Sequence, residues 1–352
     1  MITASVMERM MAQIHEKLGS KKPDVTFTLC SFRVLVDELK KGAENAHIKE
    51  LNLRCSGLDE GNCGKELSQV LKDMLMHLDG LEKLSITGTK IGDEGVNEVC
   101  IKLRAGATLR SLELARARIS RDGAFLLSCA IEESRGCLED LNVAGNRLDD
   151  EGALRLAQAA TKGKLKRLNL GDVGISNDGM SKMITFLQEH NSSLCSISFN
   201  HNELRKQNGG YPSPQDELGS KIAEWLRTDN VLKELRFRVM GFSMASILLV
   251  VEALKDNFTL RDLDLPNLNL ELENRCEKLL QCNASLRNCH GYFPSICSRN
   301  LKLHSMVSDA VKTVLLIRWF RTSLLSLVPK DVVKLVAKVI WKSKKQISVW
   351  IR

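Results

Sequence analysis

Eight times between residues 48 and 270 the chain returns to the same apolar frame. Copies start at Ile48, Leu81, Leu109, Leu138, Leu165, Leu194, Leu232 and Leu260, at intervals of 33, 28, 29, 27, 29, 38 and 28 residues. An apolar side chain stands three, five and ten residues after every start; after Leu138 these are Leu141, Val143 and Leu148. The stretch 138–164 shows one unit whole. Its first part alternates apolar and polar, which is the period of a strand, and its second part spaces Leu154, Leu156, Ala157 and Ala160 as a helix does. One short strand plus one helix cannot bury its own apolar face. Copies must therefore stack, and the expected fold class is α/β: a right-handed solenoid with a parallel inner sheet and outer helices.

The helices carry recurring punctuation. Gly92, Ser120, Asp149 and Ser176 share the position eleven after the start and are expected N-caps. Gly95, Gly123, Gly152 and Gly179 follow three residues later, where a missing side chain would let the helix start pack against the neighbouring repeat. The sixth repeat is longer, and its extra length falls in 205–220, where Gly209, Gly210, Pro212 and Pro214 oppose regular structure. Beyond Leu270 the pattern decays, with 286–293 read as a last irregular strand. Residues 25–31 followed by 32–41 read as a degenerate first repeat. The spacing of Met7, Met10, Met11, Ile14 and Leu18 predicts an amphipathic cap before it. The expected domains are a helical cap over 1–24, repeats over 25–290 and a basic helical module over 291–352.

A leucine frame near 28 residues resembles the leucine-rich repeat, in the longer helix-containing form found in ribonuclease inhibitor, Ran GTPase-activating proteins and the sensor arms of NOD-like receptors. The turn position eight residues after the start, usually Asn or Cys in that family, is Asn only at Asn146 and Asn202. Elsewhere it is Ser56, Thr89, Ala117, Val173, Met240 and Leu268, so a looser corner between strand and helix is expected there. The resemblance implies binding through an extended surface and implies no catalysis.

Composition narrows the function. No P-loop, GxSxG or HExxH pattern occurs, and no enzyme, cofactor or catalytic residue is expected. The 11 cysteines lack CxxC spacing. Those from Cys276 to Cys297, with His290 and His304, fit no common zinc pattern, so no metal is expected either. Reduced thiols suit a cytoplasmic or nuclear location. The N-terminus, interrupted by Glu8 and Arg9, is not read as a signal peptide.

Net charge is +8, and residues 309–352 hold ten Lys and Arg against two Asp, 10 − 2 = +8. The rest of the chain is neutral. In this tail, Lys312, Arg318 and Arg321 argue against a membrane span over 311–328. Lys330, Lys334, Lys338 and Lys342 repeat every four residues and form a basic stripe. Three readings stay open: a helical end cap; a docking element similar to the core of an F-box, which would make the chain a substrate-recognition subunit of a ubiquitin ligase; and adsorption to anionic lipid or nucleic acid through Lys334, Lys338 and nearby tryptophans. A GTPase-activating role fits poorly, because such relatives carry acidic tails.

Residues two, four and six after each start should point into the hollow of the solenoid. The candidate partner-binding residues there are Asn142, Asn169, Ser198, Asn200, Arg236, Arg238, Asp262 and Asp264, joined by Tyr211 in the 205–220 insertion. The expectation is a monomeric scaffold or adaptor that takes a protein partner on this face and on the insertion.

Overall fold

A computed structural model of the chain describes residues 24–28, 48–54, 64–106, 108–134, 137–163, 165–191, 193–202, 216–238, 242–257, 259–266, 268 and 270–290. The expected N-terminal helix, the helix over 32–41, Tyr211, and the whole tail with Lys334 and Lys338 lie outside these residues.

Among the described residues nine strands form one parallel sheet in strict chain order. They are β1 (Asp24–Thr28), β2 (Glu50–Arg54), β3 (Lys83–Ser85), β4 (Ser111–Glu113), β5 (Asp140–Asn142), β6 (Arg167–Asn169), β7 (Ser196–Ser198), β8 (Glu234–Arg236) and β9 (Asp262–Asp264). From β2 onward a helix follows each strand. In order these are α1 (Gly64–Met76), α2 (Gly92–Arg104), α3 (Arg121–Glu133), α4 (Asp149–Lys162), α5 (Asn177–His190), α6 (Asp216–Thr228), α7 (Met244–Ala253) and α8 (Leu270–His290). The sheet pairs equivalent frame positions: Leu84, Leu112, Leu141, Leu168, Ile197, Leu235 and Leu263 stand in one cross-strand row. This is the architecture the frame predicts, an α/β leucine-rich-repeat solenoid.

The frame leucines form the core. Those three and five residues after the starts are buried from Leu51 through Leu265. Burying one such side chain stabilises by roughly 1.5–3 kcal/mol, so the stack is held mainly by this two-column ladder and the helix faces against it. In the C-terminal half larger groups take these places. Phe199, Phe237 and Trp225 are fully buried, and Phe237 meets Phe199 and Phe242 edge-on at 5.6 and 5.2 Å between centroids. Among the described residues the frame fails once: Leu270, the tenth-position residue of the last copy, is 74% exposed. It is the first residue of α8, and no further repeat follows it among the described residues.

Two expectations need correction. The insertion expected over 205–220 ends sooner, because α6 begins at Asp216 and takes 216–220 into the helix. Past Pro214, acidic Asp216 and Glu217 suit a helix N-terminus, and Leu218 and Ile222 carry the helical apolar spacing. Of the strand expected over 286–293, residues 286–290 are instead the helical end of α8, and 291–293 lie outside the described residues.

Candidate functional site: the open face of the sheet and its turns

Five of the described turns from strand to helix are built by one of two schemes. In the copies starting at Leu109, Leu165 and Leu232, a serine eleven residues on is extended and caps the helix. Ser120 accepts from the Asp122 N–H, Ser176 from Gly179 and Ser243 from Ser246. In the copies starting at Leu81 and Leu138 the same position is left-handed, with φ +62° at Gly92 and +58° at Asp149. This corrects the expected N-caps Gly92 and Asp149: they are the first residues of α2 and α4, after Ile91 and Leu148, and Gly92 supplies no side-chain cap. The Asp149 carboxylate still accepts from the N–H groups of Glu151 and Gly152, at 3.0 and 3.3 Å, so it caps from inside the first turn.

The schemes interlock. Asp93, one residue into α2, accepts from the backbone N–H and hydroxyl of Ser120 in the next copy, at 2.8 and 2.5 Å. Asp150 does the same for Ser176, at 2.6 and 2.5 Å. These carboxylates explain two of the recurring glycines. A Cβ on Gly123 would lie 2.1 Å from Asp93 Oδ1, and one on Gly179 would lie 2.1 Å from Asp150 Oδ1. Gly152 faces Ala124 of the preceding copy at 3.2 Å, whereas at Gly95 the nearest obstacle is Ile91 of its own turn. Neighbour packing thus accounts for three of the four.

Asn146 and Asn202 tie adjacent turns. Asn146 Oδ1 accepts from the N–H groups of Ala117 and Ile119, both at 3.0 Å, while Nδ2 donates to the carbonyls of Leu114 and Val143 at 2.9 and 2.7 Å. Asn202 repeats the pattern on Val173, Gly174 and Ile175 and on the carbonyls of Leu170 and Phe199. At the matching place in the copy from Leu81, Thr89 is buried and its hydroxyl has no partner among the described residues. Ala117 and Val173 fill the intervening places as plain core.

This framework displays the open face. Asn142, Asn169 and Ser198 are cross-strand neighbours at the ends of β5, β6 and β7, all half-buried. Asn142 Oδ1 accepts from the Ala144 N–H at 3.1 Å and Asn169 Oδ1 from Gly171 at 3.0 Å. Both carboxamides are therefore fixed by their own turns, which leaves each NH2 group as the end offered to a ligand. Asn200 accepts from the Arg238 N–H at 3.0 Å and so bridges to the turn after β8.

Charges on this face are matched. Lys83 pairs with Glu113 at 3.2 Å, Arg167 with Asp140, Arg236 with Asp262 at 3.2 Å and Arg238 with Asp264 at 2.9 Å. Ser196 donates to Glu234 at 3.0 Å. The expected Arg236, Arg238, Asp262 and Asp264 group is thus brought together as two ion pairs. Beside it, a cleft of about 800 Å³ opens between β9 and α8, lined by Arg238, Asp264, Leu265, Cys276 and Leu280 among others. Exposed pairs of this kind contribute little stability. Their effect is to remove bare charge, so no long cationic track crosses the open face.

A second ladder escaped the sequence reading. In the first five copies the residues one after the starts alternate in sign: Lys49 binds Glu82 at 2.8 Å, and Glu139 holds Arg110 at 2.8 Å and Lys166 at 2.7 Å. The hydrogen bond from Lys49 holds the Glu82 carboxyl below its ordinary range, and Lys166 does the same to Glu139. The signal was legible as Lys49, Glu82, Arg110, Glu139 and Lys166 in one frame column. Burial pushes the Cys100 thiol up to about 12, which leaves it protonated and inert. Among the described residues no cluster of His, Cys, Asp and Glu could hold a metal, and no helix is long and apolar enough to cross a membrane.

The family described as Leucine Rich repeat matches residues 81–100 and 137–157. Both segments are copies whose eleventh position is left-handed. Ribonuclease inhibitor of Sus scrofa is 31% identical over 125 residues, 35% of this chain and 27% of that protein. Ribonuclease inhibitor of Mus musculus is 25% identical over 238 residues, 67% of this chain and 48% of that protein. The match thus spans about half or less of these relatives' length. Among solved structures, the tropomodulin C-terminal domain of Caenorhabditis elegans aligns with 49% of this chain and 98% of its own, at 16% identity and a TM-score of 0.39.

Proposed function

We propose that this leucine-rich repeat chain, of the ribonuclease-inhibitor-like type, is a non-enzymatic scaffold that binds a protein partner across the open face of its sheet. The observation that carries the reading is the row Asn142, Asn169 and Ser198. It offers carboxamide donors held in place before any ligand arrives. Preorganised donors cost less to order on binding than mobile side chains do. The Arg236–Asp262 and Arg238–Asp264 pairs border the row on the β8–β9 side and set polarity there without bare charge. Repeat folds bind through such extended surfaces rather than pockets. The same proposal takes the chain as a monomer, with residues 1–24, 25–290 and 291–352 as cap, repeats and basic module.

The test is quantitative affinity capture with three baits in parallel: the full chain, its N142D/N169D variant, and the chain lacking 309–352. Asp keeps the acceptor that each turn uses and removes the NH2 donor. The proposal expects a reproducible set of proteins that the tail-deleted chain retains and the double variant loses, with unchanged melting temperature. An identical set on all three baits, or a set that depends on the tail alone, contradicts it.

A further inference from the structure

Three exposed arginines without a described partner gather at one place away from the open face. Arg116 and Arg118 lie in the turn after β4, and Arg147 in the turn after β5; all three are exposed. No side-chain hydrogen bond or ion pair joins any of them to another described residue, although Lys83, Arg167, Arg236 and Arg238 on the open face are paired. The turns touch directly: Arg116 N–H donates to the Ala144 carbonyl at 2.8 Å and Arg147 N–H to the Ile119 carbonyl at 3.0 Å. The Arg116 side chain lies across Gly145, its Cγ 2.6 Å and its Nε 3.6 Å from where a Cβ there would stand. That course carries its guanidinium toward the turn that holds Arg147. Lys90, also exposed and without a described partner, extends the group to the turn after β3.

The backbone makes this costlier still. Arg116 and Arg118 both sit in the left-handed region, at φ +54° and +60°. The left-handed equivalents of Arg116 are Gly88, Gly145, Asp172 and His201, and that of Arg118 is Gly174. Two residues with a Cβ, both cationic, thus occupy positions that glycine fills more cheaply. Packing accounts for no more than the Arg116 stem over Gly145 and gives no reason for a cation at either place. Recognition of an anion does.

We propose that Arg116, Arg118 and Arg147 form a docking point for a short acidic segment of a protein partner. Guanidinium groups bind carboxylates in paired, planar fashion. Adjacent strands stand about 5 Å apart and an extended peptide advances about 3.3 Å per residue. Two or three neighbouring Asp or Glu side chains therefore span the turns of β4 and β5. The flanks favour a short peptide over a continuous polyphosphate. Asp122, Asp149 and Glu151 stand in the first turns of α3 and α4, and Asp172 stands on the far side of Gly145 from Arg116. A nucleic-acid strand following the rim would meet these carboxylates. This docking point is separate from the open face and stands whether or not the Asn142 row binds.

The test uses the full chain and a fluorescent hexaglutamate peptide, with hexaglutamine and oligothymidylate as comparison probes. Two variants are made: R116N/R118N/R147Q, and K334E/K338E as the reference for the basic tail. Asn adopts the left-handed region more readily than Arg, so the first variant should melt no lower than the parent. The expected result is at least about a tenfold loss of hexaglutamate affinity from removing three charge-assisted contacts, a smaller change in K334E/K338E, and weak hexaglutamine binding. A photo-crosslinking version of the peptide should attach within residues 115–118 and 144–148. Equal hexaglutamate binding by parent and arginine variant overturns the proposal, as does stronger binding of oligothymidylate lost in that same variant. A marked fall in melting temperature also overturns it, because the arginines would then be structural.

Discussion

Replacing Asn146 with Ala is the sharpest perturbation of the stack. The carboxamide is 4% exposed and makes four hydrogen bonds of 2.7–3.0 Å, three of them to the preceding copy. Alanine leaves the buried N–H groups of Ala117 and Ile119, and the carbonyls of Leu114 and Val143, without those partners. At about 1 kcal/mol net per hydrogen bond, and more where a buried group stays unsatisfied, the expected loss is about 3–5 kcal/mol. Stability in a stacked array is a sum of unit and neighbour terms, so the damage should be local. Urea denaturation gives the total, and hydrogen exchange read at individual amides gives the place. Exchange should accelerate at Ala117 and Ile119 and through 109–148, while 216–257 keeps its protection. A loss below about 1 kcal/mol with both amides still protected would refute the role assigned to Asn146.

Further outcomes follow from the same contacts. Thr89→Val removes a buried hydroxyl without a partner and should leave the unfolding midpoint unchanged or raise stability by up to about 1 kcal/mol. Gly179→Ala drives a Cβ into Asp150 and should lower stability by about 1–3 kcal/mol, whereas Gly106→Ala, with nothing within 4 Å of its Cβ, should cost only the strain of its left-handed backbone. The Glu139 pKa is depressed in the folded chain, chiefly by Lys166. Its contribution is therefore present above the ordinary carboxylate range and is lost as pH falls through the lowered value. Glu139→Gln should melt slightly lower than the parent at pH 7, and the two curves should converge as pH falls through the lowered Glu139 value. Folded protein treated with iodoacetamide at pH 8 should label exposed Cys137 and spare Cys100, whose thiol burial holds near 12; peptide mapping reads both sites.

The fold was legible because its cause is periodic. Leu141 and Val143 are buried for the same reason as Leu112 and Leu114, and one reading of the column serves every copy. What stayed hidden depends on contacts between copies. Asp93 and Asp150 look like ordinary helix-start acids, and only the stacking shows that each caps the turn of the next copy. The two turn schemes were invisible because Ser120 and Asp149 are both good N-cap residues, although one is extended and the other left-handed. The α6 start was misplaced because Gly209, Gly210, Pro212 and Pro214 mark where regular structure stops better than where it resumes. Of the proposed site, the juxtaposition of Arg236 and Arg238 with Asp262 and Asp264 could be read from the columns. The fixing of Asn142 and Asn169 could not, since it rests on short bonds to their own turns.

The decisive measurement is a set of spin-label distances along one column of the sheet. Labels at Lys83, Ser196 and Asp262 sit on β3, β7 and β9 in equivalent register. With strands about 4.8 Å apart, the Lys83–Ser196 separation should be about 19 Å, the Ser196–Asp262 separation about 10 Å, and the Lys83–Asp262 separation about 29 Å, before the length of the labels. Distances that grow with strand number in this way support one continuous face open to a partner. A Lys83–Asp262 distance no longer than Lys83–Ser196 would mean that the copies do not stack in order, and the binding surface built on them would not exist.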